Sequence, residues 1–316
     1  MAYLSFAQAQ QSPCDNCSAP CCGSLPLHSF TITNYAEVDY ARYLLNFSGI
    51  ELIFLYEKTW QVQLNQDCSR FDNGRCTLHG TEEKPRICRK YSAYNCLYKP
   101  IFFQDENANF IRFNRERFDI WLNHLIFNED RLIIGQPDIK ELLPLLPEYK
   151  MEAKLPLPRM GVRRRSERRG YFEFQNSCTN CSAWCCKSLS FPFDGIQSRA
   201  NLDYLWFVLG FPGVEVGISE QGWTIIVHTQ CHNLEKNEKG FGCKLFGHPD
   251  RPLQCQDYDE TTCAYKSHYE LERDYPHQLS LDLSGFHTLA SLYGFTEAGE
   301  LLDFPSYGQI VSSFRK

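Results

Sequence analysis

Sixteen cysteines dominate the chemistry this chain can do, and they are not scattered. Eight lie between Cys14 and Cys96, eight between Cys178 and Cys263, and none elsewhere. A thiolate is a nucleophile, a redox group and a soft metal ligand, so three uses are open. Eight thiols per half is an even number, as in the disulfide frameworks of small secreted domains. Yet Met1–Gln10 has no positive charge and too short an apolar run for an export signal, and the chain is long enough to bury a core without staples. Thiol–disulfide exchange needs two thiols rather than eight, and no thioredoxin-like βαβ pattern surrounds these. Metal ligation suits the spacing better. Cys14-x2-Cys17 and Cys178-x2-Cys181 can each close on one metal or cluster from a tight turn whose amides face the sulfurs.

The two sets repeat one pattern. Cys14, Cys17, Cys21, Cys22, Cys68, Cys76, Cys88 and Cys96 are separated by 3, 4, 1, 46, 8, 12 and 8 residues. Cys178, Cys181, Cys185, Cys186, Cys231, Cys243, Cys255 and Cys263 are separated by 3, 4, 1, 45, 12, 12 and 8. Five of the seven gaps are identical, which marks a duplicated module. Other residues hold the register: Asp39-Tyr40 with Asp203-Tyr204, Phe47 and Gly49 with Phe211 and Gly213, Trp60 with Trp223, and Pro85 with Pro252, each Pro three residues before a Cys. All sixteen Cys are therefore candidate metal ligands. Soft thiolates select zinc, copper(I) or iron–sulfur clusters, and the expected cofactor is an iron–sulfur cluster, with zinc the alternative. Eight thiols exceed one four-ligand site, so two centres per module, or one centre with spare thiols, both fit.

Aromatic residues crowd these cysteines: Phe71, Tyr91, Tyr94, Trp184, Phe241 and Tyr258. They suit a core and would also keep water from a cluster. His79 and His248 are out of register with each other, and His228 and His232 flank Cys231 in the second copy only, so none reads as a shared ligand.

The run Cys-x2-Cys-x3-Cys-Cys, then Gly74-Arg75-Cys76-Thr77-Leu78-His79, then Lys84-Pro85-Arg86-Ile87-Cys88-Arg89-Lys90-Tyr91, resembles the YkgJ-type cysteine-cluster family. The second copy fits through Cys178 to Cys186, Gly242-Cys243-Lys244-Leu245 and Arg251-Pro252-Leu253-Gln254-Cys255. The resemblance implies a zinc- or iron-chelating domain, here in tandem, over about 14–96 and 178–263. Flagellin lysine N-methylases carry a similar cysteine cluster, but no glycine-rich loop of the kind that binds a nucleotide is visible here. The resemblance thus implies a metal-binding protein in electron transfer, metal handling or assistance to a modification reaction. A cluster-containing modification enzyme and a structural zinc scaffold are the alternatives.

The elements that must position the thiols read as follows. Asn34 and Glu37 form a capping pair ahead of a helix with Val38, Ala41 and Leu45 on one face and Gly49 as its stop. Leu202, Leu205, Trp206 and Leu209 give the matching stripe, stopped by Gly210. Trp60, Val62 and Leu64, and again Trp223, Ile225 and Val227, alternate as a strand leading to Cys68 and Cys231. A further amphipathic helix closes each copy: Phe118, Trp121, Leu122 and Leu125, then Phe286, Leu289, Ala290 and Tyr293. The expected fold is mainly α with short strands and long Cys-rich loops, as two homologous metal-bound modules in pseudo-two-fold arrangement. The modules span 1–141 and 171–316, and the two closing helices are placed to pack on their own modules or on each other. Residues 142–170, with Pro144, Pro147, Pro156 and Pro158, read as an extended linker.

Composition bounds the partners. The net charge is −6 over 316 residues, yet Arg159–Arg169 alone carries +5, leaving −11 for the rest. General nucleic-acid binding is not expected of so acidic a protein. The Arg159–Arg169 segment is a solvated linker or a contact for acidic protein partners. No stretch is long and apolar enough to span a membrane, and a cytoplasmic location is expected.

Overall fold

The computed structural model describes residues 20–55, 59–73, 75–90, 110–150, 163–165, 183–237, 240–256 and 278–314. In the first half, strand β1 (Leu25–Thr31) precedes helix α1 (Tyr35–Leu44), and strands β2 (Ile50–Leu55) and β3 (Thr59–Leu64) form a hairpin. A short hairpin of β4 (Phe71–Asp72) and β5 (Arg75–Cys76) leads to helix α2 (Arg86–Lys90). Strand β6 (Phe110–Phe113), helix α3 (Arg115–Leu122), the hairpin β7 (Ile126–Phe127) and β8 (Ile133–Gly135), and helix α4 (Ile139–Leu142) complete it. The main sheet is antiparallel in the order β1-β3-β2-β6.

The second half repeats this. It runs through β9 (Arg163–Arg165), β10 (Leu189–Phe193), helix α5 (Arg199–Val208), β11 (Val214–Ser219) and β12 (Gly222–Val227). Then come the hairpin β13 (Leu234–Asn237) and β14 (Gly240–Cys243), helix α6 (Leu253–Gln256), β15 (Gln278–Leu281), and helices α7 (Phe286–Ala290) and α8 (Tyr307–Ser313). Its sheet, β10-β12-β11-β15-β9, has the strand order of the first with one strand added.

The expectation of a mainly α fold is overturned: the protein is mixed α/β, built on antiparallel sheets. Two physical causes hid strands from the sequence. β1 and β10 contain Pro26 and Pro192, a residue type that disfavours strand interiors. Both strands lie at sheet edges, where an absent N–H interrupts no ladder. β2, Ile-Glu-Leu-Ile-Phe-Leu, is buried along its first five residues and shows no alternation that would separate strand from helix.

The expected helices form where their caps lie. Asn34 Oδ1 accepts the Glu37 N–H at 3.0 Å. The Glu37 carboxylate turns back to the Thr33 N–H at 2.6 Å rather than to Asn34, so the box closes one residue early. In the second half the cap is Ser198, whose Oγ accepts the Asn201 N–H at 3.3 Å. Gly49 and Gly213 adopt φ of 73° and 74° at matching turns into β2 and β11, a conformation that favours glycine.

Each of the two closing helices packs on its own half. Phe118 meets Trp60 edge-on and Trp121 meets it at a tilt, at centroid distances of 5.7 and 4.8 Å, and Phe286 meets Trp206 at 4.6 Å. The segment read as linker is partly built in. Leu142 is buried, the Tyr149 hydroxyl donates to Glu51, and Arg163–Arg165 forms the edge strand against β15. The rest of the 142–170 segment beyond residue 150, including Arg159, Arg168 and Arg169, lies outside the described residues.

Each sheet buries one glutamate at the same position, with a different partner. Glu51 on β2 accepts two hydrogen bonds at 3.1 Å from Arg112 Nε on β6, and Arg112 Nη2 also reaches Asn65. Its counterpart Glu215 lies 3.0 Å from His228 Nε2, at the position of Asn65, while Ser280 stands where Arg112 would be. The carboxylate is kept and its partner has moved from β6 to the residue after β12.

Candidate metal-binding thiol clusters

Three separate segments converge around each thiol set. In the first half a single 3-10 turn, Pro20–Cys22, presents Cys21 and Cys22. The carbonyl of Cys22 accepts the Cys68 N–H at 2.7 Å, fixing the chain after β3 against the turn. The Cys68 carbonyl accepts the Phe71 N–H at 2.9 Å, and Phe71 pairs with Cys76 across the β4–β5 hairpin. Cys88 comes in on α2. In the second half the turn is Trp184–Cys186, Cys186 accepts from Cys231 N–H at 2.8 Å, Leu234 pairs with Cys243, and α6 carries Cys255. Cys14, Cys17, Cys96, Cys178, Cys181 and Cys263 lie outside the described residues, as do Tyr91, Tyr94 and Tyr258.

The ten described cysteines are free thiols, all partly buried. Burial pushes the Cys88 thiol up to about 12, and the nearby charges of Cys21, Cys68 and Cys76 add to the shift while Lys84 opposes it. Cys255 is pushed up to about 12 in the same way, by burial and then by Cys185, Cys231 and Cys243, with Arg251 opposing. Cys231 is raised by burial, against the N–H groups of Asn233 and Leu234 that face its sulfur. In the adjacent pairs one thiol donates to the other. Cys22 donates to Cys21, which raises Cys22 and holds Cys21 near 7, and a hydrogen bond to Cys186 raises Cys185. The five described thiols of each half are therefore joined into one set by the effects neighbouring thiols have on each other.

Lys84 and Arg251 stand at matching positions, one residue before Pro85 and Pro252, and each lends positive charge to its cluster. Neither was a candidate in the sequence reading; the signal that could have found them is a cation one residue before each matching proline. The histidines serve elsewhere. His79 is exposed and sits 3.3 Å from Lys84 Nζ; His248 faces Asp250 at the surface; His228 pairs with Glu215; His232 faces Ser48.

As a donor set, partly buried thiols with amides facing sulfur and a cation nearby fit a soft metal or an iron–sulfur cluster. Among the described residues no three Cys, His, Asp or Glu side chains already stand in an arrangement that could hold a metal ion. The segments are gathered, while the adjacent thiols hydrogen-bond to each other rather than converge on a point.

The halves meet through the same segments. Ser69 N–H donates to Gly210 O at 2.8 Å, and the matching His232 N–H donates to Asn46 O at 2.8 Å. Gly210 has no room for a side chain: an added Cβ would sit 2.9 Å from Phe207 O, 3.0 Å from Arg70 Nη1 and 3.3 Å from Cys68 Sγ. Arg70 lies over the Trp206 ring at 3.7 Å, and Trp206 Nε1 donates to Glu83 O at 2.9 Å. Between α2 and α5 opens a cleft of about 690 Å³, lined among others by Lys84, Arg89, Asp203, Trp206 and His287. Among the described residues no helix is long and apolar enough to cross a membrane. Compared with protein families, curated proteins and solved structures, the chain matches none.

Proposed function

We propose that the chain is a metal-binding protein in which each eight-Cys module holds a soft metal centre, an iron–sulfur cluster or zinc. The observation that carries this is the gathering, twice and in matching order, of thiols from a turn, a post-strand loop, a hairpin and a short helix. Partly buried thiols packed so closely are costly as thiolates, and a bound cation removes that cost. The resemblance to the YkgJ-type cysteine-cluster family supports the same reading. The role is electron transfer, metal handling or assistance to a partner's modification reaction, in the cytoplasm, with the Arg159–Arg169 segment as a contact for an acidic protein partner.

In this reading Cys21, Cys22, Cys68, Cys76 and Cys88, with Cys14, Cys17 and Cys96 from the same motif, supply the first ligand set. Their counterparts supply the second. Lys84 and Arg251 offset the negative charge of the thiolates, and the Asn233 and Leu234 amides orient Cys231. A cluster would supply electron transfer; zinc would supply structure.

One observation favours the modification-enzyme reading, the cleft lined by Lys84, Arg86 and Arg89 of the segment that carries Cys88, where a substrate could lie. Elemental analysis and visible absorption of protein purified without oxygen test the proposal. Iron with broad visible absorption identifies the cluster form, stoichiometric zinc in a colourless protein identifies the zinc form, and neither metal would refute both.

A further inference from the structure

The helices that carry Cys88 and Cys255 begin in an unusual way. Each is preceded by proline, Pro85 or Pro252, at the position where a Ser, Thr, Asp or Asn side chain would normally accept the first free N–H groups. Proline offers no such acceptor, so the N–H groups must find one elsewhere. They find it in the other half of the protein. Asp203 on α5 accepts from Arg86 N–H and, at 2.7 Å, from Ile87 N–H at the start of the Cys88 helix. Asp39 on α1 accepts from Leu253 N–H at 2.6 Å at the start of the Cys255 helix. These are equivalent residues of the repeat, and Asp39 is only 4% exposed, so this contact is made away from water.

We infer that Asp39 and Asp203 are positioning residues for the thiol cluster of the opposite module, so that each module's metal centre is completed by the other. The inference rests on the proposed metal-binding role for its consequence, but the contacts stand without it. Cys88 is the third residue of its helix and Cys255 the third of its own, so a carboxylate that fixes the first turn fixes the direction in which the thiol enters the cluster. The second crossing contacts act in the same sense. Ser69, next to Cys68, and His232, next to Cys231, are held by backbone carbonyls of the opposite half. A module separated from its partner would keep its Cys spacing and lose the acceptor that aims its last described thiol. This gives a physical reason for the tandem form and for Asp39-Tyr40 and Asp203-Tyr204 keeping their register.

The test uses the full chain and the alkylation rate of each cysteine, followed by mass spectrometry on chelator-treated protein. Asp39→Ala is expected to speed alkylation of Cys255 about fivefold, the size a lost N-cap implies, and to leave Cys88 unchanged. Asp203→Ala is expected to do the reverse. Asp39→Asn and Asp203→Asn, which keep an acceptor oxygen, are expected to restore most of the protection. A purely structural role would expose thiols in the mutated residue's own half, or in both halves alike; either result, or no change, overturns the inference. Where an Ala variant does not fold, hydrogen exchange on the unmodified chain decides: the Ile87 and Leu253 amides are expected to be protected, and rapid exchange would refute the capping. Added zinc separates the two claims. If the unmodified chain binds neither zinc nor iron, the metal reading fails while the alkylation pattern remains readable. If it binds metal without the crossed pattern, the positioning inference alone fails.

Discussion

The Asp39 carboxylate accepts the backbone N–H of Leu253 at 2.6 Å, although 214 residues separate them along the chain. Together with the matching contact of Asp203 to the start of the Cys88 helix, it makes the duplication more than two copies in series. Each copy supplies the acceptor that the other copy's proline removes.

Replacing a clustered thiol tests the ligand set directly. Cys68→Ser and Cys231→Ser each remove one ligand from one module, and the metal content of either variant is expected to fall by about half. The double variant should lose nearly all bound metal. Unchanged stoichiometry in both single variants removes these two residues from the set.

The raised thiols set the pH behaviour of the metal-free protein. Cys88 and Cys255 are pushed from the ordinary thiol value of 9.0 to about 12, chiefly by burial. A group raised on folding contributes stability that is complete below its unfolded value and lost as pH climbs toward its folded one. The metal-free protein should therefore lose stability between about pH 9 and 12, as read from urea midpoints. The loss should shrink in a Cys88→Ala/Cys255→Ala variant. The metal-loaded protein should respond oppositely, losing metal on acidification as protons compete for the thiolates.

Gly210→Ala should be costly for its size. The new Cβ would meet Phe207 O at 2.9 Å, a backbone atom that cannot swing aside, as well as the Arg70 side chain and Cys68 Sγ. A loss of roughly 1–3 kcal/mol is expected in chemical denaturation. Because the clash reaches Cys68, reactivity should change at that thiol in the other half. An effect confined to the second half would show that the contact does not bear on the first cluster.

The buried glutamates allow an exchange between the halves. Arg112→Ser copies Ser280 and leaves Glu51 buried without its cation, which should cost roughly 3–5 kcal/mol. Adding Asn65→His copies His228 and should recover part of that loss. No recovery would mean that the two partner arrangements depend on more than these positions.

The Cys register, the helix capped at Asn34, the helical stripe from Leu202, and the strands at Trp60 and Trp223 were readable because each rests on local spacing. The sheets were not. β1 and β10 are edge strands that contain Pro26 and Pro192, and β2 is the continuous buried run Ile50–Leu55; only pairing with distant residues distinguishes these from loops or helices. The thiol sets were likewise readable as residues but not as geometry, since hydrogen bonds such as Cys68 to Cys22 join segments 46 residues apart. Asp39 and Asp203 were visible as a repeated dipeptide, while their role depends on a contact between halves that no single-copy pattern contains.

Native mass spectrometry of the anaerobically isolated chain tests the central claim most directly. The account predicts a native mass above the 36.8 kDa polypeptide by the metal, or metal and sulfide, of a centre in each half, falling to the polypeptide mass on acid denaturation. A native mass equal to that of the polypeptide, unchanged after incubation with zinc or with iron and sulfide, would contradict it.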